Sequence, residues 1–540
     1  MYKTAALLMP VLLWTLAGPL RADDAPPLHE RIDALIERQA GGPVNKPADD
    51  AEFLRRITLD LAGRIPTADE TRTFLSDPDP AKRRQRIERL LADDEYPVRM
   101  QQLFDVMLME RRGDDDEWTE FLQSSFASNK SWDRMVREMV DPDADDEATR
   151  GSAFFISKRL EKYGQNPTDY PGLVRDVGRM FLGVDVECAQ CHDHLFVDDY
   201  HQEDYQGLFA FLGTVTLRRD KTFPAVSETP LTSKIEFASV FDLVKKQTGP
   251  RLPGGVEVAI PTFKKGEEYV TPPDRKKRTP GVPKFSPLEI LGKQLPTADN
   301  RAFCRNAANR LWWVMMGKGL VEPLDSHHSD NPPTHPELLA LLADEFAAHD
   351  FDVKWLLREL ALTRSYQRGS AAETGEPPPP ESYRAALQKR LSAEQLLGSL
   401  LHATGEQQRL AKEESEPPEE GVSQLDELTG RFRKALANPP RDPEVEFNPS
   451  VKGALFLMND EVVLEWFTPR DGNLVDRLEK NSDDAQVVES IYLSVLSRMP
   501  TDDERAAAMA YLAQHNDRRA ASVGNLAWAL AATTEFAVNH

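Results

Sequence analysis

Residues 173–213 read LVRDVGRMFLGVDVECAQCHDHLFVDDYHQEDYQGLFAFLG. The pattern of apolar residues in this stretch indicates how the surrounding chain folds. Apolar residues recur at helical spacing in its first part, which ends at Gly183: Leu173, Val174, Val177 and Phe181. They recur again in its last part: Tyr205, Leu208, Phe209 and Leu212. The stretch therefore predicts two amphipathic helices, joined by a short connection that contains the run Cys188-Ala189-Gln190-Cys191-His192.

Helical periodicity extends over most of the 540 residues, so we predict a mainly α fold. The chain divides into a helical region over residues 23–215, a Pro-rich insert over 216–296 and a second helical region over 297–540. The insert contains eleven prolines and two strand-like runs, 235–244 and 256–263.

The insert is basic, with fifteen Lys and Arg residues against nine acidic ones. One interpretation is a β-containing linker with a solvated surface. The alternative is a docking face, either for an acidic partner or for the acidic remainder of the same chain.

The first 22 residues have the pattern of a cleavable signal peptide. Lys3 supplies the positive start, residues 5–20 are apolar, and small Ala22 precedes the predicted cleavage point. No later segment is apolar and long enough to cross a bilayer. We therefore expect an extracytoplasmic protein, periplasmic or secreted, with no transmembrane anchor in its mature form.

The charge balance argues against nucleic acid as a partner. The chain has 66 Lys and Arg residues against 89 Asp and Glu residues, a formal net charge of -23. Such a surface repels phosphate backbones and anionic membranes but suits a basic protein partner. Three cysteines are too few for a disulfide framework.

The spacing C-x-x-C-H is the attachment pattern of a c-type haem. Cys188 and Cys191 would form thioethers with the porphyrin vinyl groups, and His192 would be the proximal ligand of the haem iron. Two alternatives stay open. The cysteines could form a structural disulfide, or Cys188, Cys191, His194 and a distant fourth ligand could hold non-haem Zn or Fe.

Four further residues are candidates for a role around the iron: Met180, Asp193, His194 and His201. Asp193 could orient an imidazole, and His194 could hydrogen-bond near the propionates or to a neighbouring carboxylate. Met180 and His201 are the nearest possible sixth ligands in sequence, and a five-coordinate iron is equally open. His327, His328, Met315 and Met316 are more distant possibilities.

The two ends of the chain contain a similar unit. Residues 57–70 and 491–504 each show a helix end, an Arg-x-Pro turn and a Thr with Glu three residues later. The Thr and Glu fit a capping box, as do Thr334 with Glu337 and Ser392 with Gln395. Cys304 is expected to be a buried, inert thiol.

Residues 182–196, with the earlier run 53–66, resemble the second planctomycete cytochrome C domain family. The C-terminal half resembles its companion planctomycete domain of unknown function through segments 309–312, 317–321, 332–338, 365–367 and 390–395. The resemblance implies a secreted protein with a helical cytochrome-like domain followed by a helical companion domain. The family is named cytochrome-like for its C-x-x-C-H, and the resemblance implies no known reaction.

These observations favour a c-type cytochrome-like protein that transfers electrons through one covalent haem to an unknown redox partner. The alternative is a non-catalytic extracytoplasmic binding or scaffold protein, in which the motif is a structural disulfide or a non-haem metal site. Whether the chain is an enzyme is left open, because it contains no nucleophile elbow, phosphate loop or zinc-protease motif. A haem peroxidase would need a distal acid–base pair that the sequence does not identify.

Overall fold

The computed structural model describes residues 26–162, 165–371, 376–413, 423–443 and 451–540. The mainly α prediction is confirmed, since helices dominate and the described strands form only two-stranded ribbons. The predicted signal peptide over 1–22 lies outside the described residues. Within them, no helix combines the length and the apolar character needed to cross a membrane.

Among the described residues, the region before the insert contains ten α-helices. They are α1 Leu28–Gln39, α2 Asp50–Ala62, α3 Ala68–Ser76, α4 Lys82–Ala92, α5 Glu95–Met109, α6 Asp116–Ala127, α7 Trp132–Val140, α8 Phe154–Arg159, α9 Tyr170–Val177 and α10 Gln202–Leu212. A π-helical turn, Gly178–Leu182, extends α9 up to Gly183, where φ is 71°. The two helices predicted on either side of the C-x-x-C-H run are therefore confirmed.

The insert forms three antiparallel ribbons: β1 Val215–Leu217 with β2 Val226–Glu228, β3 Ile235–Ala238 with β4 Lys245–Thr248, and β5 Tyr269–Thr271 with β6 Val282–Pro283. The first predicted strand run is right only at its start, where Ile235 pairs with Thr248. The strand predicted over 256–263 is wrong. Pro261 has no N–H for a ladder, and Val258 donates its N–H to the carbonyl of Pro250 instead.

The rest of the described chain is helical apart from one short ribbon, in which β7 Lys389–Arg390 pairs antiparallel with β8 Val538–Asn539. The helices are α11 Pro287–Gln294, α12 Arg301–Met316, α13 Pro336–Ala348, α14 Val353–Leu362, α15 Ala393–Thr404, α16 Glu406–Glu413, α17 Gln424–Leu436, α18 Val451–Asn459, α19 Glu461–Glu465, α20 Leu474–Glu479, α21 Asp484–Val495, α22 Asp502–Gln514, α23 Arg519–Ala531 and α24 Thr534–Ala537.

Two hydrophobic cores hold these elements together. The first extends over residues 28–383 and unites the N-terminal helices with α11 to α14. The second extends over 391–536 and also takes in Leu59 and Ile65. The domain boundaries at 215/216 and 296/297 stay a prediction, and α2 contributes side chains to both cores.

Helix α2 is buried from Phe53 to Leu61, including the charged residues Arg55, Arg56 and Asp60. Arg55 donates to the carbonyls of Phe536 at 2.8 Å and Val538 at 3.3 Å. Asp60 accepts hydrogen bonds from Lys389 Nζ, Tyr366 Oη and Asn539 Nδ2, all within 2.8 Å. Because unpaired buried charges are costly, these bonds link α2 to segments far away in sequence.

The repeated unit at the two ends of the chain is confirmed. Thr67 with Glu70 and Thr501 with Glu504 form complete capping boxes. In each unit the turn arginine bonds to the capping glutamate, Arg64 at 2.7 Å and Arg498 at 2.8 Å.

The other two predicted capping boxes have different outcomes. The box of Ser392 with Gln395 is confirmed at the start of α15. The box predicted at Thr334 is wrong, because the N-cap of α13 is His335, which makes no capping hydrogen bond with its side chain. The hydroxyl of Thr334 instead lies 3.1 Å from Nδ1 of His335.

Substituting Asp60→Asn should lower the free energy of unfolding by about 3–5 kcal/mol, because Lys389 is left buried without its counter-charge. Thermal denaturation followed by circular dichroism measures this. The exposed pair of Arg38 with Glu337 supplies the control, since Glu337→Gln should leave Tm almost unchanged. Equal Tm values for D60N and wild type would contradict the role given to Asp60.

Burial raises the pKa of Glu228 to about 7, although the hydroxyl of Ser286 and the N–H of Leu288 donate to its carboxylate. Between its unfolded value of 4.5 and about 7, the native state holds a proton that the unfolded state has lost. Stability contributed by this group is therefore fully present below pH 4.5 and is lost as the pH rises through 7.

Substituting Glu228→Gln should remove the pH-dependent loss of stability, which amounts to at most about 3 kcal/mol in the free energy of unfolding. The Tm of E228Q should consequently fall less than that of wild type between pH 4.5 and 7.5. Differential scanning calorimetry across this range measures the slope. Parallel profiles for the two proteins would show that Glu228 does not titrate as described.

Candidate functional site

The C-x-x-C-H run lies on a 3₁₀ turn, Cys188–Gln190, that follows the end of α9 and precedes α10. Cys188 and Cys191 are exposed free thiols, whereas Ala189 between them is buried. The turn therefore presents both sulfurs outward from a packed base. Cys304 is completely buried in α12, as predicted, and burial raises its pKa to about 11.

Side chains of α10 hold the turn in place. Gln202 Nε2 and Gln206 Nε2 both donate to the carbonyl of Gln190, at 3.3 and 3.2 Å. Asp193 Oδ1 accepts the N–H of Gln202 at 2.8 Å and so binds the first turn of α10. The role observed for Asp193 is thus to anchor the loop on the helix start, where a carboxylate is favourable.

The insert adds a second support. The N–H of Val240 donates to the carbonyl of Cys191 at 3.1 Å. Next to it, the ring of Phe241 lies against the imidazole of His192, with ring centroids 4.9 Å apart. Segment 239–244 is therefore part of the surface around the motif.

The hydrogen bond of His192 determines its tautomer. Nδ1 of His192 lies 2.6 Å from the carbonyl oxygen of Asp193. A carbonyl only accepts, so Nδ1 must carry the proton, and Nε2 of the neutral ring keeps its lone pair. This is the arrangement that metal-binding histidines use, with one nitrogen donating to a carbonyl and the other free for the metal.

His194 has the opposite arrangement. Its Nδ1 accepts the N–H groups of Phe196 at 3.2 Å and Val197 at 3.0 Å, so the proton of the neutral ring is on Nε2. The ring also makes an edge contact with Tyr200 at 5.9 Å. These contacts show that His194 stabilises the conformation of the loop. Within the described residues, no three His, Cys, Asp or Glu side chains are grouped so that they could hold a metal ion.

Exposed apolar side chains surround the motif in sequence and, through Phe241, in space. They belong to the loop after His194 and to segment 239–244: Leu195, Phe196, Val240, Phe241, Leu243 and Val244. Phe196 is 82% exposed and Phe241 68% exposed. Such a set of large apolar side chains on the surface is unusual unless it contacts another molecule or a prosthetic group.

The predicted sixth ligands occupy different environments. Met180 is buried in the first core, and its carbonyl accepts a hydrogen bond from Asn306. His201 is exposed at the N-cap of α10, and no described hydrogen bond or ring contact joins it to His192. Burial lowers the pKa of His327 to about 3, and His328 contacts Tyr200 at 5.6 Å. A sixth ligand therefore stays a prediction.

The basic insert binds partly to the acidic remainder of the chain. Arg251 pairs with Asp204 at 2.7 Å and with Glu203 at 3.1 Å, both on α10. Lys221 pairs with Asp145 at 2.8 Å. These contacts correspond to the intramolecular form of the docking alternative, and the identity of any acidic partner stays a prediction.

The C-x-x-C-H motif lies inside a region that matches a known protein family. The family PSCyt2, described as a protein of unknown function (DUF1549), matches residues 31–216, which include Cys188, Cys191 and His192. The family PSD1, described as a protein of unknown function (DUF1553), matches residues 289–452. The chain carries a PSCyt2 domain followed by a PSD1 domain. No curated protein and no solved structure matches it.

Sequence reasoning missed the residues that support the PSCyt2 motif from outside it. Gln202 and Gln206 face the turn because they are four residues apart on α10, and this spacing was readable. Val240 and Phe241 were assigned to a strand, and no local signal connects them with a motif about fifty residues earlier.

The exposure of the thiols predicts selective alkylation. In protein produced without haem attachment and kept reduced, iodoacetamide should modify Cys188 and Cys191 rapidly. Cys304 should react only after denaturation, because it is buried and its pKa is raised. Intact mass spectrometry should show two adducts on the native protein and three in guanidinium. Three adducts on the native protein would contradict the burial of Cys304.

Proposed function

We propose that this PSCyt2–PSD1 protein is an extracytoplasmic electron-transfer protein with one haem c, attached through Cys188 and Cys191 and ligated by His192. The observation that carries the proposal is the tautomer of His192, whose Nδ1 donates to the carbonyl of Asp193 and leaves Nε2 free. A structural disulfide would make no use of this histidine.

The cysteines fit the same group. Both thiols are exposed and unpaired, and the spacing is that of thioether attachment. His194 does not compete with His192 for the iron, because its Nδ1 accepts two backbone N–H groups and its Nε2 carries the proton of the neutral ring. The chain thus offers two attachment points and one imidazole nitrogen, which is the donor set that this prosthetic group requires.

The surroundings support an apolar planar group. When bound, a haem supplies a one-electron redox couple whose potential depends on axial ligation and solvent exposure. Phe241 restrains the ring of His192, and exposed apolar side chains such as Phe196 and Leu243 are available to cover a macrocycle. The exposed Cys188 and Cys191 put the attachment points at the protein surface, which suits exchange of electrons with another protein.

The expected location of the protein and its negative charge also support an electron-transfer role. The signal-like residues 1–22 support export, and covalent haem attachment also takes place outside the cytoplasm. The formal net charge of -23 favours a basic redox partner. Such a partner would be attracted over long range, with association rates that fall as salt is added.

The direct test is to export the protein in a host with a haem-attachment system, followed by a pyridine haemochrome spectrum and intact mass. The wild type should gain the mass of one haem and show Soret and α bands. C188S/C191S should gain neither. The matched control is C304S, which removes the third cysteine and should keep the haem.

A second variant separates ligation from attachment. H192A should keep the cysteines but change the absorption spectrum or lose the haem, since the axial ligand is removed. A colourless wild-type protein that is two mass units lighter than its reduced form would identify a Cys188–Cys191 disulfide. That result would overturn the proposal in favour of a binding or scaffold protein.

A further inference from the structure

A cavity of about 480 Å³ lies between the two cores, and its lining includes no residue of the C-x-x-C-H run. Its walls include residues of α2, α5, α12 and β7, the start of α15 and the end of α17. The lining includes residues of both family matches, for instance Arg99 from PSCyt2 and Arg310 from PSD1. Its volume is within the range of small-molecule sites.

The acidic residues of the cavity wall are all neutralised by cations. Asp60 pairs with Lys389, and Asp325 pairs with Arg179 at 2.6 Å. The remaining two acids each have two arginine partners: Glu110 has Arg112 and Arg179, and Glu394 has Arg111 and Arg433. Within the described wall, no acidic side chain is left to pair with a further cation.

Unlike Lys389 and Arg179, Arg99 has no carboxylate partner among the described residues. It lines the cavity, is only 8% exposed, and its Nε has no hydrogen-bond partner. Within the described residues, its guanidinium forms neither an ion pair nor a hydrogen bond. Its stem packs closely against Gly63, since a Cβ at that glycine would lie 2.9 Å from Cδ of Arg99. An arginine that is buried, closely packed and unpaired is costly unless an anion joins it.

Arg310 is a second buried guanidinium without a carboxylate. It is 8% exposed and donates to neutral oxygens, those of the Asn306 side chain at 3.2 Å and the Arg179 carbonyl at 2.8 Å. Burial lowers its pKa to about 10, so it is still charged at neutral pH. The cavity thus contains two positive charges that no described acid balances by contact.

We propose that this cavity is a binding site for a small organic acid, whose carboxylate is bound by Arg99. Guanidinium groups match the planar carboxylate with paired N–H donors. The rest of the wall suits an apolar body, since it includes Leu103, Val106, Met107, Trp313 and Val314. This proposal does not depend on the haem proposal, because Cys188, Cys191 and His192 do not line the cavity; Met180, a candidate sixth ligand, does.

The test uses the full-length protein with benzoate as the probe, followed by isothermal titration calorimetry and thermal denaturation. Benzoate combines a carboxylate with an apolar ring. Acetate and inorganic sulfate probe the charge alone, and benzyl alcohol probes the ring alone. We expect benzoate to bind and raise Tm, acetate and sulfate to bind more weakly, and benzyl alcohol not to bind.

Two substitutions assign the binding to Arg99. R99M should weaken benzoate binding by roughly 10- to 100-fold, the usual range for a lost charge-assisted hydrogen bond. R99K keeps the charge without the paired donors and should give an intermediate affinity. Without ligand, R99M should be at least as stable as wild type, because it removes a buried charge that lacks a partner.

Arg55 supplies the matched control. It is also a buried arginine, but it donates to backbone carbonyls and does not line the cavity. R55M should therefore lower Tm and leave the affinity for benzoate unchanged. The proposal is overturned if no probe binds at millimolar concentration, or if R99M binds benzoate like wild type. It is also overturned if R99M loses as much stability as R55M does.

Discussion

The burial of three charged side chains on one helix is the constraint on which the rest of the fold depends. Arg55, Arg56 and Asp60 of α2 are all nearly inaccessible to solvent. Arg56 donates to the carbonyl of Arg368 at 2.8 Å, and Arg55 and Asp60 reach the last residues of the chain. Removing a charge from water is costly without hydrogen-bond partners, so the burial of α2 is favourable when these distant segments are in place. Helix α2 therefore joins the two cores into one structure.

Contacts made by α2 and by the glycine that ends it also contribute to the cavity wall, and they are different from the contacts that hold the C-x-x-C-H motif. Lys389 of β7 is held by Asp60 of α2, and Gly63 at the end of α2 packs against Arg99. Asp60, Lys389 and Arg99 all line the cavity between the two cores. The C-x-x-C-H turn depends on a different set of contacts, from α10 and the insert. Substitutions at the C-x-x-C-H turn and in the cavity wall therefore act on different sets of contacts.

Much of the helical fold was predictable because its signals are local. Apolar residues at helical spacing predicted the helices on both sides of the C-x-x-C-H run, and Gly183 marked the end of the first one. The Arg-x-Pro unit was also readable, although its arginine–glutamate bonds were not. The failures have local causes too. Pro261 excludes a ladder in a segment of high β-propensity, and the Thr334 pattern starts one residue before the true N-cap.

What the sequence alone determined is the chemistry of the motif: two thiols and an imidazole at fixed spacing, within a few residues of one another. Only the tertiary structure decided the tautomers of His192 and His194, because these depend on which backbone groups the folded loop brings to each ring nitrogen. It alone decided that Arg99 forms no described ion pair, because the nearby acids Asp60 and Glu394 bind other cations instead. Spacing along the chain governs the first kind of property, and the pairing of buried charges across the fold governs the second.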